Sequence, residues 1–123
     1  MIFNQLANNK KASYYKENYE AWKKQALSTT GYFIVFNTFQ KNSLLAKING
    51  NALRLYIYLG LCSDNYTGEC WVTIETIATY FDKSTRTISY WIRDLEKLNL
   101  VKRFQLDMNK PSHTYLQPYS IEE

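Results

Sequence analysis

The stretch that decides the fold runs from Trp71 to Leu106 and reads WVTIETIATYFDKSTRTISYWIRDLEKLNLVKRFQL. Its apolar residues recur at three- and four-residue spacing in two blocks, which Asp82-Lys83 separates. This period predicts two amphipathic helices joined by a tight turn. Residues of β type stand before the first helix and after the second. The predicted order is a strand end, a short helix, a turn, a longer helix and a strand.

The first of these helices has a clear start and a clear end. Thr73 can cap its N-terminus, and Glu75 places a negative charge in the first turn, where it suits the helix dipole. The helix is expected to stop at Asp82-Lys83. Its core face consists of apolar residues at helical spacing: Ile74, Ile77, Ala78 and Phe81.

The second helix is longer and ends in a recognisable stop signal. Ser84 can cap its N-terminus. Asn99 can take the left-handed conformation that ends a helix, and Leu100 can fold back as the hydrophobic partner of a Schellman motif. One face is predicted to be buried and carries Ile88, Trp91, Ile92, Leu95 and Leu98. Trp71, which precedes the first helix, and Trp91 are both predicted to lie in the core.

Length and composition predict one packed domain. A chain of 123 residues with 46% hydrophobic and 16% aromatic residues can bury a core and is not a disordered polymer. No apolar run approaches the length that crosses a bilayer, and the polar N-terminus lacks the apolar stretch of a signal peptide. We therefore expect a soluble, cytoplasmic protein that does not contact a membrane.

Metal, cofactor and catalytic sites are not expected. His113 is the only histidine, and neither a Gly-rich phosphate loop nor a nucleophile paired with a base is visible. Cys62 and Cys70 bracket a turn, so a disulfide is conceivable. Two buried thiols are the favoured alternative in a cytosolic chain.

The positive charge is unevenly distributed. Residues 1–48 carry seven Lys against two Glu, a balance of +5, whereas residues 49–123 carry eight basic and nine acidic residues, a balance of −1. Within the second part, residues 83–103 hold six basic against two acidic residues, a local +4. Such local concentration is typical of proteins that bind a polyanion.

The rest of the chain predicts elements on both sides of the central stretch. Residues 12–27 are predicted to be helical, with Ser13 as N-cap and an aromatic stripe. This helix is either laid on the core or used as an arm for dimerisation or for contact with the DNA backbone. Next come a buried strand at Tyr32–Phe36, a short helix at 43–48 that ends at the turn pair Asn49-Gly50, and a central helix. The face of that central helix consists of Ala52, Leu55, Tyr56, Leu59 and Cys62.

A hairpin is predicted beyond the second helix of the central stretch. Residues 101–106 form its first strand, residues 107–111 its tip, and residues 113–116 its returning strand. The tail that follows ends in Glu122-Glu123, which phosphates would repel, so we expect it to lie away from nucleic acid.

From Asn49 to Tyr119 the chain resembles the winged helix-turn-helix family. Ala78 stands where the family has a small residue, Ile88 and Trp91 stand at its core positions, and LEKLNLV at residues 95–101 is similar to its helix end before the wing. Asp82 departs from the glycine that is common in the turn, although Asp tolerates a left-handed conformation. More narrowly, the chain resembles winged-helix proteins of Gram-positive plasmids and mobile elements, including N-terminal domains of replication initiators and small accessory proteins at transfer origins.

The resemblance implies an α+β fold in which a three-helix core carries a two-stranded wing. An N-terminal helix and strand are added to it. The domain organisation expected from this is an N-terminal extension, residues 1–48, packed on the core, then a winged helix-turn-helix domain, residues 49–119, and a tail, residues 120–123.

The second helix of such a domain reads DNA with its N-terminal residues. The residues predicted to contact base edges are Ser84, Thr85, Arg86, Ser89 and Tyr90. Arg86 is the first choice, because its guanidinium can bond guanine bidentately. The residues predicted to contact the DNA backbone are Lys83, Arg93, Lys102, Arg103 and Lys110, and for Lys110 at the tip of the wing the minor groove is the alternative. For each of them, an ordinary solvated surface is the alternative.

These observations predict a non-catalytic, sequence-specific double-stranded DNA-binding protein. It would act as a transcriptional regulator or as an accessory factor at a plasmid origin, in conjugative transfer or replication. The alternative is a winged helix that serves as a protein interaction module. A homodimer through the N-terminal helix is one expectation, and a monomer that uses the recognition helix, the wing and the basic arm is the other.

Overall fold

The computed structural model describes residues 2–119 and separates the chain into two compact units, Met1–Tyr32 and Phe33–Glu123. The first unit holds a single 3-10 turn, Phe3–Gln5, and helix α1. The elements follow in the order α1 (Asn8–Thr29), α2 (Thr38–Lys41), α3 (Leu44–Lys47), α4 (Gly50–Cys62), β1 (Glu69–Cys70), α5 (Ile74–Phe81), α6 (Thr85–Lys97), β2 (Val101–Gln105) and β3 (Ser112–Leu116). None of the described helices combines the length and the apolar character that crossing a membrane requires.

Helix α1 is longer than predicted and starts earlier. Ser13 is not its N-cap: it lies inside the helix, where its hydroxyl donates to the carbonyl oxygen of Asn9 over 3.2 Å. The helix ends at Thr29, and Gly31 follows with a positive φ of 78°. Within this unit Phe3 packs against the rings of Tyr14 and Tyr15, but no residue of α1 is buried. The aromatic stripe of α1 is therefore exposed.

In the second unit, α4, α5 and α6 surround one core. Their inward side chains include Leu55, Leu59, Ile77, Ile88 and Leu95, all without measurable exposure. The short helix predicted at residues 43–48 is α3, and Asn49, which follows it, also caps α4, since its side chain accepts a 2.8 Å hydrogen bond from the amide of Ala52. Phe39 and Ile48 close the core from the segment that precedes α4.

A three-stranded antiparallel sheet with the order β1-β3-β2 completes this unit. Strands β2 and β3 form the predicted hairpin, with Arg103 opposite Thr114. Strand β1 adds to the other edge of β3, so that Cys70 also lies opposite Thr114. Helices α4, α5 and α6 are followed by the β2–β3 hairpin, and this order confirms the predicted α+β winged helix-turn-helix class.

The strand predicted at Tyr32–Phe36 is wrong. The segment has no strand partner within residues 2–119, and Ile34, Val35 and Phe36 are 47%, 47% and 63% exposed. Only Phe33 packs against the core. A β-type sequence fits a pleated surface, but it forms a strand only where another strand offers its edge.

Two burial predictions are also wrong. Trp71 is 60% exposed, because Cys70 points into the core and the next side chain along the chain points outward. Cys62 is exposed, because it is the last residue of α4. Both cysteines are free thiols as expected, but only Cys70 is buried. The predicted acidic tail, residues 120–123, lies outside the described residues.

Gly60 allows the ring of Phe33 to approach the backbone of α4. A Cβ atom at residue 60 would overlap that ring, which also lies edge-on to Tyr56 with centroids 5.5 Å apart. We expect Gly60→Ala to lose about 1–3 kcal/mol of packing and to recover about 1 kcal/mol of helix propensity, so that thermal unfolding occurs at a lower temperature. Gly50→Ala is the matched control, since nothing lies within 4 Å of its added Cβ. An equal shift in both variants would contradict the role of Phe33.

Candidate nucleic-acid interface

The turn between α5 and α6 is closed by backbone hydrogen bonds. Asp82 takes the left-handed conformation with φ 54° and ψ 51°, as its tolerance of that region predicted. The amide of Lys83 donates to the carbonyl of Ala78 over 3.0 Å, and the amide of Asp82 donates to the carbonyl of Thr79 over 3.3 Å. This is a Schellman motif, and it fixes the point at which the chain enters α6.

The left-handed residue of the turn can be tested separately. A left-handed conformation costs about 1–2 kcal/mol for a residue with a Cβ, less for Asp, and nothing comparable for glycine. We therefore expect Asp82→Gly to raise the midpoint of urea unfolding or leave it unchanged, and Asp82→Val to lower it. If Asp82→Val were as stable as the original chain, the conformation of the turn would be different from the one described.

Ser84 and Ser89 use their hydroxyl groups within α6. Ser84 caps the helix, since its Oγ accepts from the amide of Thr87 over 3.1 Å and lies 3.0 Å from the Oγ1 of the same residue. Ser89 is half-buried and donates to the carbonyl oxygen of Thr85 over 3.0 Å. Both stand where the sequence predicted base contacts, but their hydroxyls already hold the helix.

Arg86, Tyr90 and Arg93 form an exposed cluster on α6. The Nε of Arg86 donates to the hydroxyl oxygen of Tyr90 over 3.0 Å. The guanidinium groups of Arg86 and Arg93 lie 5.7 Å and 5.4 Å from the centre of the Tyr90 ring. These contacts hold two cationic side chains on one face of the helix while their remaining N–H groups stay available. Thr85 is exposed beside them.

Arg103 is placed differently from the other predicted backbone contacts. It is half-buried on β2, and its Nη1 donates to the Oγ1 of Thr114 over 2.6 Å. Burial lowers the pKa of its guanidinium, which the nearby Cys70 and Glu75 partly offset. Lys83, Lys102 and Lys110 are exposed, at the turn, on β2 and at the tip of the wing.

A cleft of about 410 Å³ separates the start of α6 from the wing. Thr85 and Ser89 line it from α6, and Arg103 and Ser112 line it from the hairpin. Ser112 was not predicted as a site residue. Only the register of the wing, with Gln105 opposite Ser112, brings this residue near α6, and no local sequence signal reports that register.

Arg86 and Arg93 have no ion-pair partner within residues 2–119, whereas Glu75 lies near enough to Arg103 to offset part of its pKa shift. The one acid–base contact at ion-pair distance in those residues joins Oε2 of Glu69 to Nδ1 of His113, 2.8 Å apart. The hydrogen bond from His113 holds the pKa of Glu69 below its usual range. Asp94 is the acidic residue nearest to Arg93 in sequence, but its carboxylate accepts a 2.8 Å hydrogen bond from Asn49. The positive charge of α6 is thus left to attract an external anion.

Metal coordination finds no support in the part of the chain that the structure describes. No group of three or more His, Cys, Asp or Glu side chains is close enough there to hold an ion.

Residues 46–101 match the family model of a helix-turn-helix domain. The matched stretch contains α4, α5 and α6, and it ends at Val101, the first residue of β2. It includes the Asp82 turn and the Arg86 cluster. No match was found among curated proteins or among solved structures.

Proposed function

We propose that this chain binds double-stranded DNA sequence-specifically, without catalytic activity, by placing α6 in the major groove. The observation that carries the proposal is the Arg86, Tyr90 and Arg93 cluster, whose two cations form no ion pair within residues 2–119, on a helix whose other face is anchored in the core. The helix-turn-helix match over residues 46–101 supports it.

Neighbouring side chains of the cluster would contact different parts of the DNA. Arg86 lies near the N-terminus of α6, where side chains reach base edges in helix-turn-helix complexes, and its Nη groups can bond the N7 and O6 acceptors of guanine. Arg93 lies two turns later and would contact a phosphate. Thr85 completes the base-reading surface, Tyr90 orients Arg86 through its hydroxyl, and Ser84 and Ser89 hold the helix.

The wing would hold the DNA backbone beside α6. Lys102 and Lys110 are exposed there, and Lys83 contributes from the turn. Arg103 faces the cleft between α6 and the wing, where a phosphate can approach it. Its bond to Thr114 then serves to orient the guanidinium toward that cleft.

Binding to duplexes selected from a random pool tests the proposal. Fluorescence anisotropy is expected to show tighter binding to the selected duplex than to a shuffled one, and the affinity for both should fall as salt rises. Equal affinity for both duplexes at every salt concentration would contradict sequence-specific reading. The recovered sequence would also distinguish a two-fold site from a single half-site.

The role of Lys110 gives a further prediction. Lys110→Ala should weaken binding to selected and shuffled duplexes alike, and it should reduce the slope of log affinity against log salt by about 1, because one phosphate contact is lost. Lys97→Ala removes the same charge at the opposite end of α6 and serves as the control. An effect of Lys110→Ala confined to the selected duplex would contradict a backbone contact.

Two cellular roles are compatible with such binding. Transcriptional regulation needs only occupancy of an operator, whereas an accessory role at a plasmid origin needs a site beside that origin. The narrower resemblance to winged-helix proteins of plasmids supports the second role. Mapping the selected sequence onto the DNA that carries the coding region would separate the two.

A second candidate function is protein contact through the face opposite the core. Ile57 and Leu61 of α4 and Tyr80 of α5 are exposed there and line a shared groove with Arg54 and Phe81. Exposed apolar groups of this kind are common at protein interfaces. Undetectable DNA binding at low salt would favour this function over the first.

A further inference from the structure

The segment from Phe33 to Phe36 offers unpaired backbone groups at the surface. The amide and carbonyl groups of Phe33, Ile34 and Val35 make no hydrogen bond to any atom of residues 2–119. The amide of Phe36 donates to the hydroxyl oxygen of Tyr119 over 2.7 Å. A row of free donors and acceptors next to half-exposed apolar side chains is the property of an unpaired strand edge.

Three side chains of this segment are not buried against any element within residues 2–119. Ile34, Val35 and Phe36 are about half exposed or more. Val35 and Phe36 also line an apolar groove of about 270 Å³, which Leu45 and Ile57 extend. The segment contains no charged residue. Its sequence favours a strand, but no strand within residues 2–119 pairs with its backbone. A strand from another molecule would supply the missing hydrogen bonds.

We propose that a second copy of this chain supplies that strand, so that residues 33–36 of two copies pair antiparallel about a two-fold axis at Ile34. In this register Phe33 of each copy lies opposite Val35 of the other, and their free amide and carbonyl groups form four hydrogen bonds. The amide of Phe36 keeps its bond to Tyr119. The two Ile34 side chains meet directly in the closely spaced, non-hydrogen-bonded pair.

Residues 33–36 carry no charge, and this favours a second copy of the chain as the source of the pairing strand. Two-fold pairing places the segment against its own sequence and Ile34 against its own equivalent, which a strand with charge of one sign would resist and this neutral one does not. The stripe of α1 differs in this respect. Its rings are flanked by Lys16, Lys23 and Lys24 against one acidic residue, Glu20, so two copies of α1 packed along this face would bring together surfaces of net positive charge.

The apolar area available suits a small interface. The exposed parts of Ile34, Val35 and Phe36, together with those of Leu45 and Ile57, amount to roughly 400–500 Å² per copy. Doubling this gives about 800–1,000 Å² in total, below the standard size and in the range of weak or transient contacts. The pairing is therefore expected to depend on protein concentration and to coexist with monomer.

Charged substitutions at Ile34 test the pairing in the full chain. Sedimentation equilibrium over a concentration series is expected to show the original chain moving from monomer towards dimer mass. Ile34→Lys and Ile34→Glu should each weaken self-association by about tenfold or more, because like charges face each other across the axis. An equimolar mixture of the two should recover the dimer, because opposite charges then meet. Leu106→Lys adds the same charge at an exposed apolar position of the wing and should leave self-association unchanged.

Three outcomes would overturn the proposal: a monomer at every concentration, an Ile34→Lys variant that dimerises as the original does, or a mixture that stays monomeric. Ile34 is half exposed, so its variants should fold, and their circular dichroism melting curves check this. The pairing does not depend on DNA binding, so its failure would leave the proposed function to be tested on its own.

Discussion

Leu95→Ala is expected to lower the free energy of unfolding by about 2–5 kcal/mol, the largest stability change that we predict for a single substitution. Leu95 has no measurable exposure. It lies on α6, which packs against both α4 and α5. Its carbonyl oxygen also accepts the 3.0 Å hydrogen bond from Leu100 that ends the helix. A cavity here would therefore form at the place where the three helices meet.

Urea unfolding followed by circular dichroism measures this loss. Leu106→Ala is the matched control, because the same three carbons are removed from a side chain that is 61% exposed at the tip of the wing. The control should change the free energy of unfolding by no more than about 0.5 kcal/mol. If both substitutions had equal effects, Leu95 would not occupy the core position described.

The central stretch was predictable because its signals are local. The caps at Thr73 and Ser84 and the left-handed stop at Asn99 each depend on residues within one helical turn. The backbone amide of Asn99 donates to the carbonyl oxygen of Glu96, and the amide of Leu100 donates to the carbonyl oxygen of Leu95. These two bonds complete the predicted Schellman motif. The apolar period then selects the buried face. Each of these local choices agrees with the fold, as foldable sequences require.

The errors lie where burial depends on a distant partner. Trp71 and Cys62 are apolar residues at the ends of elements, where the periodicity of a strand or helix no longer says which side faces the core. Tyr32–Phe36 has the composition of a buried strand, but no strand within residues 2–119 lies beside it. Sequence propensity reports what a segment can form and does not report which edge is available to it.

The sequence predicted which face of α6 carries the candidate site, but it did not predict every hydrogen bond that the side chains there make. Helical period alone places Arg86, Tyr90 and Arg93 on the side opposite the core. It does not show that the hydroxyl of Ser89 is occupied, because Ser makes such local bonds only in certain rotamers. Nor does it show that Arg103 turns toward Thr114, a contact set by the pairing of β2 with β3.

Arg86→Ala is expected to have the largest effect on DNA recognition. Losing a bidentate contact to guanine should weaken binding to the selected duplex by about 1–3 kcal/mol, or roughly 5- to 150-fold, and relax the preference at one base pair. Binding to a shuffled duplex should fall much less, since it loses only one charge. Competition anisotropy with duplexes substituted at each position measures both changes.

Two matched variants separate the shape of Arg86 from its charge. Arg86→Lys keeps the charge but removes the planar fork and the Nε donor that bonds Tyr90, so it should lose most of the specificity and little of the non-specific affinity. Tyr90→Phe removes only the hydroxyl acceptor that orients Arg86. It should cause a smaller loss, about 0.5–1.5 kcal/mol, at the same base pair as Arg86→Ala. If Arg86→Lys bound the selected duplex as tightly as the original chain, Arg86 would serve as a phosphate contact, and base reading would belong to other residues of α6. A loss in Tyr90→Phe at a different base pair would instead mean that Tyr90 reads DNA directly and does not act through Arg86.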